Sequence, residues 1–488
     1  MKMLKKILRR RYFLILQAIT SIILMIMVVR LGLVPMKYLI IIGLVLVALE
    51  LGMYVWLQPY KHRHHHDKKG KTRYLVGKIV SLVLSILMVV GSFAVSKGNK
   101  SIDEMFGDNK EEITYSVIVL KNSSYKKLSD LNGRSIGVQP NVDTTNQNYV
   151  LKEIAKKATL SPTEYLNYQA VAEGLVSHSV ECILLNEAYR TALAEYDSNF
   201  SKDTKVIWKY TLTQNVKPQT KSTNAAGTFI VYISGIDAYG TASTVSRSDV
   251  NMIVTVNTNT HNILLTSIPR DYYVPLANSG KEDKLTHSGL FGVENTVKTV
   301  ENFMDIDIDY YARLNFSTLT KVVDVIGGID VYSDQDIHLY TDDIHNRFLS
   351  EGTHHMDGKT ALAFARERHS YESGDRHRTQ NQQDVLMAII KKMMSPTLLT
   401  NYTKILDAVG DSFTTNMPAD KMKELANEQL NTNASWNFSS RFLEGTGKSM
   451  TGGYMMPNSK LYYMIPNEDS VKQNKQYIKD VLSNDTLN

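Results

Sequence analysis

Three apolar runs open the chain, near residues 12–29, 37–57 and 75–95. Each is long enough to cross a hydrocarbon core of roughly 30 Å as a helix. Beyond them the pattern shortens and alternates. It predicts strands at Ile113–Leu120, Ser135–Gln139 and Val180–Leu185, and helices over Tyr149–Ala158 and Tyr168–Val176. Asn132-Gly133 supplies a turn before the second strand. A polar stretch at 213–226 follows, and from Gly227 a second run of elements begins. Strands are expected at Phe229–Ser234, Asp249–Val256 and Asn262–Ile268, the last two joined as a hairpin through Asn257–Thr260. Helical spacing covers Val293–Phe303 and Phe316–Ile326, and Ile329–Tyr332 reads as a strand after Gly327-Gly328. A short helix is expected at Asp357–Ala365. A longer one starts with Asp375 as its cap and ends at Ser395, where Pro396 stops it. Leu461–Ile465 adds a strand, and residues 397–488 read as part of the same domain.

The fold class is therefore α/β. Three N-terminal transmembrane helices (1–96) are followed by a polar linker (97–112), a small α/β accessory domain (113–215) and a larger α/β domain (227–488). Charge orients the spans. Lys5, Lys6, Arg9, Arg10 and Arg11 precede the first, and a basic loop, Lys61 to Arg73, joins the second to the third. Positive charge marks the cytoplasmic side, so everything after about residue 97 is expected outside a plasma membrane. A cleaved signal peptide does not fit, since two more spans follow and there is no small-residue cleavage pattern. His62, His64, His65 and His66 in the basic loop read as a solvated surface, because a metal site needs a preorganised second shell. The net charge of +6 is carried largely beside the membrane segments, so nucleic acid is not an expected partner. A DNA-binding regulator would need a cytoplasmic basic domain, and only a short N-terminus and one loop face that side. The single cysteine, Cys182, cannot staple an ectodomain, which suits a Gram-positive surface protein.

Arginines and aspartates gather at the ends of the predicted elements. Gly235-Ile236-Asp237 follows one strand, Ser246-Arg247-Ser248-Asp249 opens the next, and Ile268-Pro269-Arg270-Asp271 closes the third. Ala365-Arg366-Glu367-Arg368-His369 follows the short helix, and Gly374-Asp375-Arg376-His377-Arg378 leads into the long one, which also carries Gln382. Arg378 and Gln382 are four apart and share a face. The guanidinium fork suits phosphate, and converging arginines need an anion between them. Two aspartates in the same place suggest a hard cation shared with phosphate oxygens. The combined reading is a pocket for a diphosphate with Mg²⁺. Lys284 and His287, in the loop after Arg270, are candidates to reach the phosphates or an acceptor. Gly445-Thr446-Gly447-Lys448-Ser449 imitates a P-loop, but the spacing needs glycine at 442, where Phe442 stands. Ser246 and Ser248 have no local base pattern and are not read as nucleophiles.

The order and spacing of Gly235-Ile236-Asp237, Arg247-Ser248-Asp249, Ser267 through Val274, Gly327 through Val331, Leu362 through Arg368 and Gly374 through Gln383 resemble the LytR–CpsA–Psr family. Three spans with an insert at 113–212 resemble its streptococcal capsule branch. The resemblance implies a central mixed sheet flanked by helices. It implies a phosphotransferase that moves capsular polysaccharide, or a related glycopolymer, from a polyprenyl-diphosphate carrier to peptidoglycan. A membrane regulator of capsule biosynthesis and a polyprenyl-diphosphate hydrolase are the alternatives. By this likeness Asp237 and Asp249 hold Mg²⁺ (Mn²⁺ being the alternative). Arg247, Arg270, Arg366, Arg368, Arg378 and Gln382 hold the diphosphate, and Asp237, Asp249 and Arg270 act in catalysis. The implied partners are the lipid-linked polysaccharide, peptidoglycan, membrane lipid and other capsule-assembly proteins. Many members carry an arginine before the paired glutamines, where this chain has Asn381. Within the insert, Lys127 through Val138 resembles one lobe of extracellular solute-binding proteins. Half a clamshell rarely closes on a ligand, so a scaffold or partner-docking role is expected there.

Overall fold

A computed structural model of the chain describes residues 10–58, 68–107, 110–140, 143–215, 224, 226–236, 243–341, 344–372, 374–395, 404–405, 407–410 and 413–483. They fall into two compact units. The first holds helices α1 (Arg10–Leu31), α2 (Met36–Trp56) and α3 (Lys68–Gly107). Arg10–Leu31, Met36–Trp56 and the Thr72–Gly98 part of α3 are long and apolar enough to cross a membrane. Their aliphatic side chains point outward while the few polar ones turn in. Ser81 Oγ donates to Gln17 Oε1 at 2.7 Å, and Ser21 Oγ to Glu50 Oε1 at 3.2 Å. Small and polar residues between helices are the expected glue where lipid removes the hydrophobic drive.

Two readings change here. Residues 97–107, expected as a linker, continue α3, and a strand begins at Lys110. Residues 391–408 and 418–434, expected within the large domain, belong to the unit of the spans. The helix Ala419–Thr432 has no buried residue of its own, so polar ties hold this segment. Lys37 Nζ donates to Asn431 O at 2.8 Å, and Lys97 pairs with Asp407 at 3.0 Å.

The second unit contains two sheets. The first follows β1 (Lys110–Leu120), β2 (Arg134–Val138), α4 (Thr144–Ala155), β3 (Leu160–Glu164), α5 (Tyr168–Val176), β4 (Cys182–Asn186), α6 (Arg190–Tyr196) and β5 (Thr204–Asn215). Its strand order is β3-β2-β4-β1-β5. The fully buried run Cys182–Asn186 puts β4 in the middle, as its continuous apolar character requires.

The larger sheet starts with β6 (Thr228–Ile236), β7 (Val250–Asn257) and β8 (Asn262–Ser267). A small hairpin of β9 (Tyr273–Pro275) and β10 (Glu282–Lys284) leads to α7 (Val293–Met304), β11 (Tyr310–Asn315) and α8 (Phe316–Val325). Then come β12 (Ile329–Ser333), β13 (Ile337–Thr341), β14 (Ile344–Leu349), β15 (Gly352–Met356), α9 (Gly358–Arg366) and α10 (Asp375–Met393). The chain closes with β16 (Phe413–Thr415), β17 (Asn437–Phe442), β18 (Gly445–Met450), β19 (Leu461–Pro466) and α11 (Glu468–Leu482). The central order is β16-β11-β6-β7-β8-β17. It is mixed: β6–β7 and β7–β8 are antiparallel, while β11–β6 and β17–β8 are parallel. The register pairs Gly235 with both Leu314 and Val250, and Met252 with Ser267. The ends of β6, β8 and β11 and the start of β7 therefore lie at one edge of the sheet.

The two sheets are not separate bodies with a boundary at 213–226. Val245, Leu290, Met455, Met456, Leu461 and Tyr463 of the larger part are buried in the core of the smaller one. Ser459 Oγ donates to Gln169 Oε1 at 2.9 Å in a buried bond across them.

Candidate functional site

Three loops meet at that sheet edge, and backbone bonds stitch them together. Asp249 N donates to Gly235 O at 2.8 Å, Ser248 N to Thr286 O at 3.1 Å, and Thr286 N to Arg270 O at 2.8 Å. The approach is close enough to require glycine. A Cβ on Gly289 would lie 2.6 Å from Ser246 O and 2.8 Å from Ser248 N. Ser248 is buried with its hydroxyl 2.8 Å from that of Ser234, a structural role rather than a nucleophile's. From the other side Arg313, on β11 and 2% exposed, donates Nη2 to Thr244 O at 2.9 Å and to Ser246 Oγ at 3.2 Å. Burial lowers its pKa, an effect opposed by the nearby Glu111. A β-bridge between Glu112 and Thr244 completes the clamp on the 243–246 segment.

Charged side chains converge on this frame. Arg270 Nη1 lies 3.0 Å from Asp249 Oδ1, and Arg247 Nη2 is 3.8 Å from the same oxygen. Thr286 Oγ1 donates to it at 3.4 Å. Lys284 Nζ is 3.3 Å from Asp271 and 2.9 Å from Glu195 Oε2, and Arg247 Nη1 hydrogen-bonds Glu195 Oε1. The three cations thus face three carboxylates. Burial alone would raise the Glu195 pKa, but Lys284, His287 and Arg247 hold it below the usual carboxylate range. Beside them, His287 Nδ1 donates to Asp283 Oδ1 at 2.9 Å, both residues being fully enclosed. Arg247 Nε and His287 Nε2 are buried with no hydrogen-bond partner. A buried guanidinium N–H such as Arg247 Nε rarely stays unpaired in folded proteins, and a phosphate oxygen would satisfy it.

The remaining arginines flank the α9–α10 junction. Buried Glu367 accepts from the backbone N–H of His369 at 2.6 Å and of Ser370 at 2.9 Å. That turn leaves Arg366 and Arg368 on the exposed side. Asn381 is buried, and its Nδ2 donates to Phe364 O at 3.0 Å, tying α10 to α9. Gln383 donates to Arg441 O at 2.8 Å, which seats α10 on the sheet edge. Arg378 and Gln382 lie half-buried on this helix. A cavity of about 230 Å³ is lined by Pro269 and Thr379, the neighbours of Arg270 and Arg378, with Arg376, Phe442, Leu443 and Met464.

The structure therefore brings Arg247, Asp249 and Arg270 into contact and sets Arg366, Arg368, Arg378 and Gln382 around a second junction. Asp237 lies outside the described residues. Lys284 and His287 join the first cluster. Glu195 and Arg313 were missed. Arg313 carried a signal, a cation in an otherwise apolar strand pattern, whereas Glu195 sits on an ordinary-looking helix. The P-loop imitation at 445–449 falls on β18, paired with β19. Asp249 with the Thr286 hydroxyl offers the hard oxygens that Mg²⁺ or Mn²⁺ takes. Among the described residues no group of three or more His, Cys, Asp or Glu could hold a metal. With Asp249, a cation here would be shared with substrate oxygens.

The LytR_cpsA_psr family model matches residues 185–480. The chain belongs to the LytR–CpsA–Psr family. Among curated LytR–CpsA–Psr relatives, the polyisoprenyl-teichoic acid–peptidoglycan teichoic acid transferase TagU of Bacillus anthracis is 37% identical over 180 residues, covering 37% of this chain and 58% of that protein. A TagU of Bacillus cereus is 33% identical over 232 residues, 45% of this chain and 74% of that one. The chain thus spans little more than half the length of the Bacillus anthracis relative. Among solved structures, TagV of Bacillus subtilis has 27% identity and a TM-score of 0.45, with 54% of this chain and 100% of that one covered.

Proposed function

We propose that this LytR–CpsA–Psr protein is a phosphotransferase. It moves a glycopolymer, here capsular polysaccharide, from a polyprenyl-diphosphate carrier to peptidoglycan. The cluster of Arg247, Arg270 and Lys284 among Asp249, Asp271 and Glu195, with the buried, unpaired Arg247 Nε, carries this reading. The relatives named as teichoic acid transferases support the reaction class. The three spans and the inserted sheet, as in the capsule branch, support the choice of polymer.

Arg247, Arg270 and Lys284 bind the diphosphate in a fixed frame, joined by Arg366, Arg368, Arg378 and Gln382 from the second junction. The acceptor hydroxyl oxygen bonds to the sugar-bearing phosphorus as the bridging P–O bond breaks, and polyprenyl monophosphate departs. The hydroxyl proton passes to a carboxylate, for which Asp237 is assigned. Cations held in place before the reaction stabilise charge on the phosphoryl oxygens without reorganising. Mg²⁺ or Mn²⁺, when held by Asp249 and Asp237, would neutralise the same oxygens.

The test uses the full chain in detergent with a polyprenyl-diphosphate glycan, Mg²⁺ and peptidoglycan fragments, followed by mass spectrometry. Sugar phosphate joined to the fragment is expected. Arg270→Ala should cut the rate by about 10²–10³, as loss of one charge-stabilising donor does elsewhere. Phosphate release that ignores the fragment would replace the transferase with a hydrolase. Absence of both transfer and release would remove the enzymatic reading.

A further inference from the structure

Glu195 is the one carboxylate of the cation cluster that comes from the smaller sheet. It stands on α6, whose Ala192 and Leu193 are buried and whose start is fixed by a two-pronged Arg190–Glu187 pair at 2.6 and 2.8 Å. The carboxylate is therefore presented from a set position. One oxygen takes Arg247 and the other takes Lys284. The side chains are 28%, 17% and 7% exposed, so this is not a solvent-screened surface pair.

A structural staple is the simpler account, but the two parts are already joined without it. They share a hydrophobic core, the Ser459–Gln169 bond, the Glu112–Thr244 bridge and the bond from Val293 N to Glu111 at 2.8 Å. What Glu195 adds is chemical. Its two oxygens, each on a separate cation, reproduce how a phosphate group would sit between an arginine and a lysine.

We propose that Glu195 is a resident anion of the phosphate site, occupying Arg247 and Lys284 until a substrate phosphate displaces it, so that the inserted sheet sets the affinity for the diphosphate. This rests on the diphosphate reading given above. Substrate must exchange one carboxylate for phosphate oxygens, and that competition weakens every anion the site takes. Displaced, Glu195 remains tethered beside the site and rebinds when the product leaves.

The test measures binding of inorganic pyrophosphate to the full chain in detergent by calorimetry, for the wild type, Glu195→Gln and Tyr196→Phe. Glutamine keeps the shape and removes the charge. The expected result is a Kd about tenfold lower in Glu195→Gln, since a unit charge at hydrogen-bond range of two cations is lost. Tyr196→Phe is the control. Its hydroxyl meets Glu173 at 2.7 Å, away from the cations, and affinity should stay within about twofold. Wild-type binding with an equal or weaker Glu195→Gln overturns the inference and leaves the diphosphate reading standing. Absence of binding by both chains removes the diphosphate reading and the inference together. Binding by Glu195→Gln alone supports both. A melting curve on each variant separates lost binding from lost structure.

Discussion

Asp283 and His287 form a hydrogen-bonded pair that solvent does not reach. Burial pushes the Asp283 pKa up, but His287 and the backbone N–H groups of Met455 and Lys284 more than offset this and hold it down. A depressed folded pKa means stability that is present above the ordinary value of 3.8 and lost as pH falls through the folded value. Thermal melts should therefore show a decline beginning below about pH 4 that Asp283→Asn lacks. The same variant at pH 7 should lose about 1–3 kcal/mol in denaturant titration, because buried hydrogen bonds to the carboxylate are lost. Cys182 offers a second residue-scale test. Burial, then Glu181, pushes its thiol up to about 12, so a thiol reagent should label the folded chain only as fast as it opens. At this scale the sequence spoke through type and spacing. Arg247, Asp249 and Arg270 were legible because each interrupts a pattern at an element end. Glu195 was not, since nothing in one helix tells which distant cations its face will meet.

Elements were legible where a hydrophobic period was strong. The expected strands Phe229–Ser234, Asp249–Val256 and Asn262–Ile268 fall on β6, β7 and β8, and the expected turn joins the last two. Asp357 does cap α9, accepting from Thr360 N at 2.8 Å. Strands whose place depends on backbone pairing were not legible. Asn437–Phe442 is polar at four of its six positions and becomes β17 only because β8 offers a parallel edge. The α9–α10 junction shows an element-scale dependence. Asn381 is buried and ties α10 to the Phe364 carbonyl of α9. Asn381→Ala should cost about 1–2 kcal/mol of stability, measured by urea titration, since the buried bonds from α10 to the Phe364 carbonyl and the Tyr371 hydroxyl are lost. Transfer should fall as well, as Arg366 and Arg378 lose their common support.

For the whole molecule the membrane segments were plain in the sequence and the α/β class followed from alternation. The division into parts was not, because a shared core leaves no trace in local composition. Hydrogen exchange is the check. Amides of β4 and of β19 should open together with one free energy, as one cooperative unit. Deleting residues 110–215 should give an aggregating chain, not a smaller enzyme, since Met455, Met456, Leu461 and Tyr463 would lose their cover.

The bond from Ser459 to Gln169 spans 290 positions. A chain made from its N-terminus delivers the smaller sheet early and its last core residues late. The early part must wait, half-finished and adhesive, for the tail. Completion of this fold waits on the arrival of the C-terminus, and a chain stalled before it is a target for quality control rather than a working fragment.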